Sequence, residues 1–370
     1  MSISSLYLFA GIVLVVLIFW DAFEVMLLPL PIRRNLRLVM LFVRYTWKSW
    51  SFIAQWLGPG DRRERLLGVY GPLSLVLLIC LWVGGLILGF GLIHLALGSG
   101  SLLQALYFSG ITFFTVGYGD LVPGSMAMKG VAVVEAGCGL GFLALVIGYL
   151  PVLYQLFARR EAHVMLLDER AGSPPTATEL LKRHAEGHSL DSLDQLLREW
   201  EVWTSELLES HMSYPMLGFY RSQYSNQSWL AAMASITDTC SLIMVGIEGV
   251  RTFQARMTFS VARLAIIELS RVLRVEEIVG ANPRLTSSEF IRMKKALKES
   301  GLEMVERDAE ARLAKFRATY EPFLGGLAEY LMVGLPRWVS KEEQLDNWEE
   351  DERGATAKRL VEAVAPEPGS

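Results

Sequence analysis

Residues 115–120 read Thr115-Val116-Gly117-Tyr118-Gly119-Asp120, and their types suit one chemistry: the coordination of a bare cation by main-chain oxygens. Glycines at alternate positions, Gly117 and Gly119, let a strand-like backbone enter conformations closed to residues with a Cβ, so that successive carbonyls can turn to one side. Four such strands about one axis would stack rings of oxygens, and a cation could exchange its hydration shell for them. The chain holds one copy of the string, which cannot encircle an ion alone, so the pattern predicts a homotetramer with cyclic symmetry.

The flanking segments have the lengths needed to hold such a strand inside a membrane. Residues 70–97 and 126–157 are apolar and long enough to cross about 30 Å of hydrocarbon. Between them, 102–114 is apolar but too short to span. A re-entrant segment of that kind is tolerated only when buried in protein or lining water. Ser101 is placed to cap it, and its C-terminal end would present the partial negative charge of the helix dipole to a cation. No Lys or Arg occurs between His94 and Met128.

Taken together, the six-residue string and the two apolar segments around it resemble the potassium channel pore-loop family. The string is itself the type example of a carbonyl filter, so a preference for K+ is what the resemblance implies and not a result of residue types. The resemblance covers residues 70–157 and implies an outer helix, pore helix, selectivity filter and inner helix. It implies K+ coordination at Thr115, Val116, Gly117 and Tyr118, with Gly119 and Asp120 completing the filter. On the inner helix it points to Gly139 and Pro151 as gating hinge candidates and to Leu140, Leu143 and Ile147 as cavity-lining candidates. Close packing by small residues is the alternative use of Gly137 and Gly141, whereas a proline inside a helix removes a hydrogen bond and kinks it. Some family members carry a glutamate four residues before the filter threonine; here that position is Ile111, so Asp120 is expected to bond to Tyr107 or to backbone. Glu135 falls inside the inner helix; a hydrogen bond to the back of the filter is favoured for it over a pore-lining role, since Leu140, Leu143 and Ile147 fit the cavity-facing register of the family better.

Composition bounds the rest. With 52% hydrophobic and 20% charged residues over 370 positions, the chain suits a membrane part joined to a soluble part. A net charge of -4 argues against nucleic-acid binding. Cys80, Cys138 and Cys240 are too far apart to suggest a disulfide framework or a metal site. Residues 6–28 form a further membrane-length stretch. It lacks a basic region and a cleavage pattern before Asp21, and is expected to stay as a membrane helix. Asp21 and Glu24 near its end are expected to be wetted at the interface, with a functional pair facing another helix as the alternative. Arg33, Arg34 and Arg37 follow, which puts that loop on the cytoplasmic side. Residues 36–56 carry Arg44 and Lys48 in mid-stretch, and this favours a helix lying in the interface over a span. Arginines at the membrane helix ends recur, but no run at every third position suggests direct voltage sensing.

Beyond Arg160, punctuation at 171–175 (Ala-Gly-Ser-Pro-Pro) suggests a linker. Helical spacing then predicts helices at 178–185, 190–211, 228–273, 287–298 and 302–331, with Pro322 breaking or kinking the last. Residues 229–247 approach span length, but Asp238 among Ser235, Thr237, Thr239 and Ser241 favours a buried helix of a soluble bundle. No GxGxxG after a strand and no P-loop is present. His184 and His188 lie one turn apart without a third ligand, so a solvated pair is favoured over zinc. The aromatic stretch 209–229 reads as a packing insert, with a ligand or partner surface as the alternative.

The chain is thus expected to be an all-α membrane protein. Its parts are an N-terminal membrane and interfacial helix (1–66), a potassium channel pore module (67–158), a linker (159–176), an all-α cytoplasmic domain (177–345) and a disordered tail (346–370). The resemblance implies a K+-selective channel in the cell membrane that is not an enzyme, needs no organic cofactor and contacts membrane lipids. A cytoplasmic ligand or protein partner would supply regulation. A potassium uptake transporter subunit, which resembles four joined repeats, and a membrane-anchored scaffold are the alternatives.

Overall fold

The computed structural model describes residues 2–27, 38–187, 190–222, 227–278, 284–304 and 308–339. These residues are almost wholly helical, and the one bridge of strand type among them joins Ile247 to Met304. The chain forms two compact units. One takes in the described residues up to Phe157 together with Met212–Tyr220, and the other holds Ala158–His211 and the residues from Arg221 on.

In the first unit, helix α1 (Ile3–Met26) starts at Ser2, whose side chain accepts from the Ser5 amide. Its buried stripe, with Gly11, Ile18 and Ala22, packs on α3 (Asp61–Ala96). Gly11 and Gly89 let those two backbones touch, since a Cβ on Gly11 would lie 2.6 Å from the Gly89 carbonyl oxygen. Asp21 and Glu24 are buried, contrary to the expectation of wetted acids. Asp21 accepts from the Trp82 indole of α3 at 2.9 Å and Glu24 from Trp20 at 2.8 Å. Partnering by indole N–H groups is what lets carboxyls sit among apolar helices.

Helix α2 (Leu38–Trp56) buries Val39, Val43, Trp47 and Ala54 on one side and exposes Arg44 and Lys48. Trp47 meets Tyr70 of α3 edge-on, and the Trp50 indole donates to the Leu66 carbonyl at 2.9 Å. The short 3-10 helix Pro215–Phe219 belongs to this unit. Phe219 packs against both Trp47 and Tyr70, with ring centroids 5.0 and 5.4 Å away, and so completes a cluster of three rings, and Tyr214 faces Tyr149. The aromatic insert is therefore used for packing. Arg33, Arg34, Arg37 and Tyr224 lie outside the described residues.

Helix α4 (Leu102–Phe113) is the short segment ahead of the glycine-rich string, and α5 (Met126–Ala171) follows that string. Two boundaries differ from expectation. Helix α3 begins at Asp61, with Asp61 and Glu64 favouring its first turn, and α5 continues past Phe157 to Ala171, since no breaker precedes Gly172. Only 172–176 of the expected linker is non-helical.

The second unit is an all-α bundle built around α8 (Trp229–Gly246), whose residues are nearly all buried. Around it lie α6 (Ala177–Glu186), capped by Thr176, and α7 (Leu190–Ser213), with α9 (Phe253–Val272) and α10 (Ser287–Glu299), α10 opening on a Thr286/Glu289 capping box. Helices α11 (Ala309–Arg317) and α12 (Glu321–Leu331) follow. The single helix expected over 228–273 is two, with a break at 247–252 that includes Gly249 at φ 79°. The stretch 302–331 is also two helices, divided before Pro322, which occupies the first turn of α12.

Three buried ionisable residues inside this unit, Asp238, His211 and His184, have hydrogen-bond partners. Asp238 takes the Arg284 guanidinium at 2.6 Å and the Tyr320 hydroxyl at 2.5 Å. His211 is buried, donates through Nδ1 to the Leu207 carbonyl and presents Nε2 to Arg160. Burial, with Arg160 beside it, pushes His211 down to about 3. His184 donates through Nδ1 to the Leu180 carbonyl, so it is a satisfied interior histidine and not half of a solvated pair. Its expected companion His188, like the tail 346–370, lies outside the described residues.

Candidate functional site

The site is built at the C-terminal end of α4. Ser101 accepts from the Gln104 amide and Gln104 reaches back to the Ser101 amide, a reciprocal cap that fixes where the helix starts. Twelve residues later the helix ends and the chain turns on a carbonyl of its own last turn. Ile111 accepts from the Val116 amide at 2.8 Å and from the Gly117 amide at 3.4 Å, and Thr112 accepts from Thr115 at 3.0 Å. The string is thereby strapped to the helix that precedes it.

Its backbone has the required form. Thr115, Gly117 and Gly119 have φ of 54°, 58° and 81°, and Val116 and Tyr118 between them lie outside that left-handed region. A regular strand turns successive residues to opposite faces; alternation of hand every second residue is what allows successive carbonyls to share one face. Two of the three positions are glycine and bear this freely. Thr115 does not, and a non-glycine residue held there stores strain of the kind that gathers at functional sites.

Residues 114–120 are exposed along their whole length, whereas Ala105, Phe108 and Ile111 of α4 are buried. The backbone of Thr115, Val116, Gly117, Tyr118 and Gly119 is thus offered outward from a rigid support. Asp120, at the end of the string, accepts from the Tyr107 hydroxyl at 2.9 Å, one of the two partners foreseen for it.

The C-terminal half of α4 rests on α5. Gly139 lies so close to α4 that a Cβ there would stand 2.0 Å from the Phe113 carbonyl oxygen. One turn earlier, Glu135 is fully buried, accepts from the Ser109 hydroxyl of α4, and pairs with His94 Nε2 of α3 at 2.8 Å. The hydrogen bond expected from Glu135 to the back of the filter is made instead to Ser109 of α4 and His94 of α3, two partners that the sequence does not mark. Nothing local marks those two as a pair, because the three residues meet only when three helices pack.

Leu140, Leu143 and Ile147 lie on an exposed face of α5, at 57%, 55% and 63% exposure. Their i, i+3, i+7 spacing makes one stripe. Pro151 lies inside α5, which stays helical through it. Among the described residues no group of three or more His, Cys, Asp or Glu is gathered as a metal site, and the three cysteines are free.

Comparison with known proteins agrees with this geometry. Residues 76–155, from within α3 to within α5, match a family described as "Ion channel". The chain is also 26% identical over 212 residues to the uncharacterized membrane protein YdjJ of Bacillus subtilis (strain 168), an alignment that takes in 53% of this chain and 61% of that relative. No solved structure gives a significant match. With α1, α3 and α5 each long and apolar enough to cross a bilayer, the chain is an all-α membrane protein whose residues 76–155 are similar to an ion-channel family.

Proposed function

We propose that this protein is the subunit of a homotetrameric, potassium-selective channel. Four copies of the Thr115–Tyr118 backbone would meet on a common axis, and their carbonyls, with Thr115 at one end, would replace the hydration shell of K+. Gly119 and Asp120 complete the filter, Leu140, Leu143 and Ile147 line the cavity below it, and α5 bends at Pro151 or near Gly139 to gate it. The protein lies in the cell membrane among lipids, with the second unit on the cytoplasmic side as the receiver of a ligand or partner signal. Conduction is passive, driven by the gradient, and repulsion between neighbouring ions lets each leave its site.

The observation that carries this reading is the alternation of left-handed residues at Thr115, Gly117 and Gly119 in a segment exposed on a strapped, re-entrant helix. An isolated chain has no reason to hold a threonine in that region and leave it open to solvent. A ring of four copies supplies one.

K+ flux into liposomes holding the purified full chain tests it. Wild type should admit K+ and exclude Na+, and Tyr118→Asp should relax that preference. Unchanged selectivity in the variant would count against the filter.

A further inference from the structure

Two residues of α5 and two of α4 meet at the same interval. Glu135 lies against Ser109, and Gly139, four residues on, lies against Phe113, four residues on. On a helix, that interval places both members of each pair on one face, so α4 and α5 touch in register at two levels, one polar and one backbone to backbone. Helix α3 joins at the polar level. The Ser109 hydroxyl is shared with the Ile87 carbonyl at 2.9 Å, and His94, packed edge-on against Phe108, holds the second carboxylate oxygen. Three helices therefore converge on one carboxyl that no water reaches.

A carboxyl in the apolar part of a membrane helix is costly, and where it occurs it marks function more often than packing. Only half a helical turn separates Ser109 from Ile111, whose carbonyl carries the Val116 and Gly117 amides. From Glu135 to the string there is no flexible link. Ile111 also stands four residues before Thr115, so α4 itself brings no carboxylate to that place.

We propose that Glu135 is a positioning residue of the ion path. Through Ser109 it fixes α4 against α3 and α5, and so fixes the height at which Ile111 holds the backbone of Val116 and Gly117. It touches no ion. Its effect is on how the carbonyl rings are spaced, and therefore on discrimination between K+ and Na+ and on how long the string stays conductive when K+ is scarce. The inference rests on the potassium-channel reading and deepens it.

The test uses the full chain in planar bilayers, with the K+/Na+ permeability ratio and the decay of current at low and high K+ as readouts. Glu135→Ala and Ser109→Ala should each shift the ratio by about tenfold, the scale of one hydrogen bond to a charged group. The double variant should shift it no further, because the two residues act through one link. Glu135→Gln, which keeps the size and an acceptor for Ser109, should restore most of the ratio, and Val134→Ala, an exposed neighbour, should leave it at the wild-type value. If Glu135→Ala does not assemble, Ser109→Ala carries the test alone, since it leaves the carboxylate with His94. Wild-type selectivity in an assembled Glu135→Ala or Ser109→Ala, or additive effects of the two, would overturn the inference and leave the channel standing. A wild-type protein without K+ flux would remove both.

Discussion

Replacing Gly139 with alanine sets two known effects against each other. Alanine favours a helix interior over glycine by about 1 kcal/mol, so propensity alone predicts a more stable α5. The structure predicts the reverse. The new Cβ would meet the Phe113 carbonyl oxygen at 2.0 Å, its carbonyl carbon at 2.9 Å and its Cα at 3.3 Å, where ordinary contact starts at 3.4 Å. All three are backbone atoms, so no side chain can swing aside. Overpacking of this kind costs about 1–3 kcal/mol, and set against the propensity gain the net expectation is a loss of up to about 2 kcal/mol. Gly137 and Gly141, on the same helix, have nothing within 4 Å of an added Cβ in the chain. Their alanine variants should therefore be neutral or gain up to about 1 kcal/mol. Thermal unfolding of the purified full chain in detergent, with K+ flux in parallel, should separate Gly139→Ala from the other two in both assays. If Gly139 served only as a hinge, alanine would stiffen α5 without lowering stability. A Gly139→Ala protein that melts with or above wild type would refute the close contact on which the site geometry depends.

Two further outcomes follow from the two units. His211 must stay neutral in the fold, because Arg160 donates to Nε2 while Nδ1–H is given to Leu207. Its ordinary value of 6.5 is pushed down to about 3, so the unfolded chain takes up the proton first. Stability is therefore lost as pH falls below 6.5, by about 1.4 kcal/mol per pH unit, or about 2 kcal/mol by pH 5. Urea unfolding followed by tryptophan fluorescence should show this slope and should lose most of it in His211→Gln; an equal slope in the variant would exclude His211 as the cause. In the first unit, Phe219→Ala removes a buried ring from the cluster it forms with Trp47 and Tyr70 and should cost about 3 kcal/mol or more. A melting temperature within a degree of wild type would mean that the insert is not packed as described.

Much of the candidate site was legible in the chain because it is local. The Thr115–Asp120 string, the Ser101 cap, the short α4 between two membrane-length segments and the Tyr107 partner of Asp120 all lie within one stretch of 20 residues, from 101 to 120. Apolar length and turn chemistry act over such distances, so residue types alone announced them. Asp238 likewise marked α8 as an interior helix of the bundle, since a lone acid in an apolar run needs a partner inside protein.

What packing alone decided involves residues far apart in sequence. Glu135 finds Ser109 and His94, Gly139 becomes a contact with Phe113, and Asp21 is buried against Trp82 instead of wetted. The insert 212–220 joins the first unit though both of its neighbouring segments belong to the second. Hydrophobic periodicity says which face of a helix turns inward, but not which helix it meets or at what height. That choice is made by shape and by hydrogen-bond pairing between surfaces, and only the folded chain brings those surfaces together.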